Sequence, residues 1–265
     1  MNLISNPATG HTARLAPLVG ACLGGMQRPA GTPTPLDIAD TLKLLGNCLS
    51  PQRRVVRAGA VLYAAGERFR TLYILNTGLM KIVSTASDGR EQVVGIKFRG
   101  DWLGFDGIAE GVYACDAVAV DTGEVWGLVY DEVLAACAEN PALLGMLHAA
   151  MSRQIGRDRE SLMSVCTLPA DARVAEFLRQ WAESLERSGL RFDQITLPLT
   201  RAEIGNFLGM TLETVSRALS KLAREGVIDF AGKGRRDICI GDTGALAAFV
   251  QRCLAPVRTS ACLLQ

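Results

Sequence analysis

The most regular apolar pattern in the chain runs from Leu144 to Val165. Leu144, Leu147, Met151, Ile155, Asp158, Leu162 and Val165 follow one another at intervals of three and four. This approximate heptad seam predicts a long helix over about Pro141–Val165. Such a seam implies parallel pairing with a second copy of the chain; the alternative is an amphipathic helix packed on its own domain. Before it, the apolar runs are short: Val55–Val56, Val61–Tyr63, Leu72–Leu75, Met80–Val83, Gln92–Val94, Ala117–Val120 and Val125–Tyr130. Turn signals separate them at Ala58-Gly59, Ala65-Gly66, Asn76–Gly78, Asp88-Gly89, Arg99–Asp101 and Asp121–Gly123. A spacing of about ten residues predicts an antiparallel β-roll or jelly roll, preceded by a short helix at Leu36–Leu49. The expected fold class is therefore α+β. Its expected divisions are an arm (1–34), the roll (35–140), the seam helix (141–166), a C-terminal domain (167–247) and a tail (248–265).

The C-terminal domain opens with a support helix, Ala170–Ser188, and then the segment TRAEIGNFLGMTLETVSRALSKLAREGVI, Thr200–Ile228. Thr200 with Glu203 is a capping box. Ile204, Phe207 and Leu208 give the first helix an apolar face, and Gly209 sits where the chain must turn. Thr211 can cap a second helix, Thr211–Ala223, whose Val215, Leu219 and Leu222 point inward. Glu213, Ser216 and Arg217, at i, i+3 and i+4, share the outer face with Ser220 and Lys221. A carboxylate, a hydroxyl and a guanidinium so placed can reach base edges in a DNA major groove. The alternative is an ordinary helical hairpin with a solvated charged face.

The stretch of chain after this helix favours DNA. Gly226–Phe230 and Ile238–Ile240 flank a turn of glycines and cations, which predicts a β-hairpin. Behind a recognition helix, such a hairpin is a wing. Lys233, Arg235 and Arg236 would meet phosphates there, with Thr200, Thr211, Thr214, Ser220 and Lys221 as further backbone contacts. Between Thr200 and Ile240 there are seven Lys/Arg against five Asp/Glu, so placement carries more of the inference than net charge.

At these residues the chain resembles a known family. Glu213–Arg217, within LTRAEIGNFLGMTLETVSRALSKL, is similar to the recognition helix of the Crp–Fnr transcription regulators. The Fnr and FixK branch carries Ser between the Glu and the Arg. The resemblance spans about Leu36 to Ala247. It implies a cyclic-nucleotide-binding-like β-roll, a dimerisation helix and a winged helix-turn-helix. The glycine rhythm of Tyr73–Gly78 and Gly100–Gly104 fits such a roll. The resemblance also implies a TTGAT-like inverted repeat. Arg217 would bind its guanine, Glu213 the opposite cytosine and Ser216 a neighbouring thymine. It implies RNA polymerase as a partner through the loop Ser87–Glu91, for which a plain hairpin turn is the alternative.

Composition narrows the cofactor question. The chain has 265 residues, a net charge of +1, eight cysteines and two histidines. No apolar run reaches the roughly 18 to 20 residues needed to span a membrane, and a cytoplasmic location is expected. The short apolar stretch Leu15–Met26 is not read as a signal peptide. Cyclic-AMP-binding relatives hold the phosphate with an Arg-Ser pair. Here the matching place reads Val112–Cys115, followed by Asp116, and Asp101 replaces the Glu after Gly100, so cyclic nucleotide is not expected. An iron–sulfur cluster needs four thiolates. The arm offers only Cys22, Trp126 stands where the roll cysteine falls, and Cys48 and Cys115 restore no spacing. Haem is not expected from His11 and His148, the latter read as a partly buried helix residue. Cys239 in the wing is a minor redox candidate.

The expectation is thus a dimeric, sequence-specific DNA-binding regulator without a cofactor, read as an activator with a repressor as the alternative sign. A ligand- or redox-responsive effector module is the alternative. No Ser/His/Asp grouping, P-loop or dinucleotide fingerprint suggests an enzyme. Asp158 in the seam would set two carboxylates near a dimer axis and weaken association; the alternative is a solvent-facing Asp.

Overall fold

The computed structural model describes residues 38–232 and 236–255. The N-terminal arm with His11 and Cys22, the wing residues Lys233 and Arg235, and the tail beyond residue 255 lie outside the described residues.

The fold is α+β. Helix α1 (Ile38–Cys48) leads into eight strands, β1 (Gln52–Val56), β2 (Val61–Tyr63), β3 (Thr71–Thr77), β4 (Met80–Thr85), β5 (Glu91–Lys97), β6 (Trp102–Leu103), β7 (Asp116–Ala119) and β8 (Gly123–Val129). They form two antiparallel four-stranded sheets, β1-β8-β3-β6 and β2-β7-β4-β5. Alternate residues such as Leu72 and Ile74 point into the space between the sheets, which is why short alternating runs suffice for this roll. Two elements were not expected. β6 is only two residues long, and the run expected to continue as strand to Tyr130 stops at Val129, where α2 (Tyr130–Glu139) begins.

Helix α3 (Pro141–Thr167) starts where Asn140 accepts the Ala142 N–H at 3.0 Å and Pro141 takes the first helical turn. Leu143, Met146, Leu147 and Ala150 bury its first turns against the roll. Leu147 therefore departs from the expected seam, being 5% exposed, and Met151 is half-buried against the same core. Spacing marks a stripe but not which edge of it the home domain takes. Further along, Ile155 is 50% and Leu162 64% exposed; Leu144, Asp158 and Val165 are exposed too.

The C-terminal part contains α4 (Ala170–Arg187), β9 (Gln194–Thr196), α5 (Arg201–Leu208), α6 (Leu212–Arg224), β10 (Asp229–Phe230), β11 (Asp237–Cys239) and α7 (Thr243–Leu254). The hairpin β10–β11 gains an unexpected third strand, giving the sheet order β10-β11-β9. Helix α7 crosses the boundary expected at residue 247. Phe249 is 2% exposed within the core of α4 and α6, so residues 248–254 belong to this domain rather than to a tail. Roll and reader are in contact: Phe98 meets Trp181 edge-on at 5.0 Å, and Lys81 Nζ lies 2.6 Å from Glu203 Oε1.

Candidate nucleic-acid interface

The helix pair α5–α6 is set by local chemistry. Thr200 Oγ1 accepts the Glu203 N–H at 3.2 Å, and Glu203 Oε2 accepts the Thr200 N–H at 2.8 Å, closing the capping box. Gly209 ends α5 at φ 64°. Gly205 allows the turn to fold back, since a Cβ there would stand 2.5 Å from the Met210 carbonyl oxygen. Thr211 then accepts the Thr214 N–H at 3.3 Å and starts α6. Val215, Ala218, Leu219 and Leu222 bury one face of α6 against α4 and α7.

The opposite face of α6 carries Glu213 and Arg217, both exposed, with Ser216 half-exposed. The Glu213 carboxyl lies below the usual range because its own N–H, the Thr211 hydroxyl and then the Arg217 charge stabilise the ionised form. This face is an acceptor and a five-donor fork one turn apart, suited to cytosine N4 and to guanine O6 and N7.

The expected phosphate contacts divide. Thr211, Thr214 and Arg236 reach the surface on the reader and the wing. Thr200 is exposed, but its hydroxyl donates to Glu203 at 2.8 Å within the capping box. Ser220 is half-buried and its hydroxyl donates to the Ser216 carbonyl at 2.9 Å. Lys221 departs from the outer face. Its Nζ lies 2.6 Å from Asp171 Oδ2 and 5.7 Å from the centre of the Phe249 ring, tying α6 to α4 and α7. Position i+8 from Glu213 falls about 80° off the face, within reach of the neighbouring helices. Arg224 is the residue that the sequence pattern did not single out. It is exposed on the Glu213 and Arg217 face, and the spacing i, i+4, i+11 marks it.

A Crp-like helix-turn-helix domain is matched over residues 172–249 and a cyclic nucleotide-binding domain over residues 53–140. Similar proteins include the fumarate and nitrate reduction regulatory protein of Salmonella typhimurium, 29% identical over 197 residues, 74% of this chain and 78% of that protein. The anaerobic regulatory protein of Haemophilus influenzae is 29% identical over 182 residues, 69% and 71% of the two chains. Among solved structures, FixK2 from Bradyrhizobium japonicum superposes with a TM-score of 0.67 at 26% identity, over 76% of this chain and 97% of that one. The chain carries both domains of the Crp–Fnr family regulators and is homologous to them. It is a transcription regulator with a DNA-binding helix-turn-helix, and these relatives are regulators, not enzymes.

The geometry of the roll shows what its residues could hold. At the expected phosphate cassette, the Ala114 and Cys115 N–H groups both donate to Asp106 Oδ2, at 3.0 and 3.1 Å. Tyr113 stacks on Tyr63 with ring centres 3.9 Å apart. Asp116 Oδ1 accepts the Ala65 N–H at 2.6 Å. Two backbone donors at this place thus serve a carboxylate. Burial and then Asp106 push the Cys115 thiol up, which disfavours the thiolate. Trp126 is buried, with its indole N–H on Glu124 at 2.8 Å and the Arg53 guanidinium 4.8 Å from its ring. His148 is exposed, not partly buried as expected, because it lies on the outer side of α3. Among the described residues, no group of three His, Cys, Asp or Glu side chains is placed to hold a metal ion. Among the same residues, no helix is long and apolar enough to cross a membrane.

Proposed function

We propose that this protein acts in the cytoplasm as a homodimeric regulator reading a TTGAT-like inverted repeat. The observation that carries this reading is the face of α6. Glu213, Ser216 and Arg217 are presented together, while the opposite face of the helix is committed to the core. Pairing is supported by Ile155 and Leu162, apolar and exposed on the projecting part of α3. Two recognition helices held one DNA turn apart would read a palindrome. Asp158 would stand near the axis of that dimer and weaken it. The sign is taken as activation, through a polymerase contact at Ser87–Glu91. This is the exposed tip of the β4–β5 hairpin, closed by the Ala86 N–H on the Arg90 carbonyl at 2.9 Å.

The same reading takes the regulator to work without iron–sulfur cluster, haem or cyclic nucleotide. The Asp106 carboxylate on the cassette amides and the tryptophan at position 126 support it. One observation favours a compatible second role, response to a small molecule. A cavity of about 700 Å³ lies between β5, Trp102, Phe105 and α3, with the buried Lys97 in its wall.

The test is selection of binding sites from random duplex DNA, run in air and without oxygen. Enrichment of an inverted repeat of TTGAT-like half-sites in both conditions is expected. Enrichment of a single half-site without its inverted partner would overturn the dimer. Enrichment only without oxygen would overturn the cofactor-free reading.

A further inference from the structure

Away from the cavity of the roll, a cleft of about 590 Å³ opens between the middle of α3 and the last turns of α4. Arg153 and Arg157 stand one turn apart on α3, and Arg187 comes from the last turn of α4. Gly156 leaves the helix surface open between the first two, since a Cβ there would meet nothing within 4 Å. Arg157 Nη1 lies 2.6 Å from Asp101 Oδ1. Arg187 is steered over its own helix, donating to the Ser184 hydroxyl at 2.9 Å and to the Glu183 carbonyl at 3.3 Å. Among the described residues neither Arg153 nor Arg187 forms an ion pair. Partial burial and then the charges of Arg157 and Arg187 hold the Arg153 pKa below its usual value, and Asp101 is the carboxylate that opposes them.

Glu160, Glu183 and Glu186 line the same cleft. Two of them are drawn elsewhere: Arg179 bonds Glu183 and also attracts Glu160. Glu186 is left against three guanidiniums, of which Asp101 neutralises one, so the balance around the opening is positive. Like charges crowded in a partly desolvated cleft repel one another, and an anion between them turns that repulsion into attraction. Each guanidinium is a planar fork of donors that can grip a phosphoryl group through two oxygens at once. The volume leaves room for an organic part beside such a group. We propose that this cleft binds a small phosphoryl-bearing anion, held by Arg153 and Arg187 with Arg157 at its side. The ligand would brace the end of α4 against α3, joining the support helix of the reader to the helix of the proposed seam. The site is separate from the DNA-reading face and would stand without it.

The test is isothermal titration calorimetry of the full chain with pyrophosphate and with adenosine diphosphate. Both are run at one ionic strength, because contacts between exposed charges weaken with salt. Saturable binding of at least one probe, one per chain, is expected. A preference for the nucleotide would mark an organic ester as the ligand, and a preference for pyrophosphate a free anion. Arg153→Gln and Arg187→Gln are each expected to weaken binding by about tenfold or more. Arg159→Gln, which changes an exposed arginine of α3 outside the cleft, is expected to leave it unchanged. Glu186→Gln is expected to tighten it. A circular-dichroism melt gives a second readout: the bound probe should raise the melting temperature of the parent but not that of Arg153→Gln. Without probe, Arg153→Gln should melt no lower than the parent, since it removes a crowded charge, so lost binding is separable from lost fold. If neither probe binds saturably, or if Arg153→Gln weakens binding no more than Arg159→Gln does, the site is overturned.

Discussion

The side-chain amide of Asn206 completes the edge of β5 opposite Val93: its Oδ1 accepts the Val93 N–H at 2.5 Å, and its Nδ2 donates to the neighbouring Glu91 carbonyl at 2.8 Å. β5 is the outermost strand of its sheet, so these backbone groups have no strand partner on that side. Asn206 belongs to α5, and the bonds therefore join the reader to the roll. Asn206→Ala should remove about 1–2 kcal/mol of local stability. Hydrogen exchange at the Val93 amide should quicken by about tenfold or more, while amides of β3 and β8 keep their rates. An unchanged Val93 rate would mean that the edge is protected by something else.

Glu203 joins the same contact from the preceding turn. Burial alone would raise its pKa, but hydrogen bonds from Lys81 and Thr200 outweigh it and hold the carboxyl below the usual range. A folded-state pKa below the unfolded value gives stability that is full above the unfolded pKa. That stability is lost as the pH falls through the folded pKa. Glu203→Gln should thus flatten the acid limb of the stability curve below about pH 4.5 while leaving its neutral-to-basic shape alone. Lys81→Met should raise the Glu203 titration midpoint in a carboxyl NMR titration. A midpoint that stays put would show that Thr200 alone sets it.

How much of this was readable in the sequence depends on the range of the interaction. The capping box, the Gly209 turn and the inward row of α6 were legible because each is decided within a few residues. The long helix was legible, but Leu147 was misassigned to the seam, since a heptad stripe does not say which of its edges the home domain covers. Lys221 was misread for the same reason, its partner Asp171 being fifty residues away. β9 escaped because Gln194–Thr196 offers one apolar side chain, Ile195, whose strand character comes from pairing with Ile238. Helix α7 escaped because its apolar residues only acquire a face once α4 is there to receive Phe249 and Val250. Asn206 carries no local signal at all, its bonds being to a strand more than a hundred residues earlier.

Gly205 lies inside α5 with no room for a side chain on the turn side. Gly205→Ala would force the Met210 carbonyl, now 2.5 Å from the position of the new Cβ, to move. Ala favours helix over Gly by about 1 kcal/mol, so a propensity effect and the steric effect have opposite signs. The steric effect should win, costing about 1–3 kcal/mol and tilting α6 relative to α5. Thermal melting and binding to the selected duplex check this. A variant more stable than the parent would show that the turn relaxes freely.

Asp158 is exposed on α3, and its Oδ1 accepts from Gln154 Nε2 at 2.6 Å. In the proposed dimer it lies in the stripe with Ile155 and Leu162. Asp158→Ala should lower the dimer dissociation constant in sedimentation equilibrium, whereas Leu162→Asp should raise it and weaken binding to the inverted repeat. If Asp158→Ala leaves the constant unchanged, the carboxylate does not face the axis.

Gln154 links Asp158 to the interior of the roll, because its Oε1 accepts from Lys97 Nζ. Lys97 is 6% exposed. Burial lowers its pKa from 10.5 to about 8, helped by Arg157 and opposed by Asp101, Asp158 and Asp106. Between pH 8 and 10.5 the unfolded chain therefore holds more protons at this site than the folded one, and stability from Lys97 rises with pH across that window. Below the window the buried ammonium costs about 3 kcal/mol. Lys97→Met should remove that cost and also the hydrogen bond to Gln154, which is worth about 1–2 kcal/mol. The variant is thus expected to be more stable than the parent at pH 7 and to lose the advantage steadily towards pH 10. Urea unfolding of both proteins at pH 7, 8, 9 and 10 checks it. A constant difference across the series would mean that Lys97 titrates alike in the folded and unfolded chain, and its link through Gln154 to Asp158 would then carry no protonation signal.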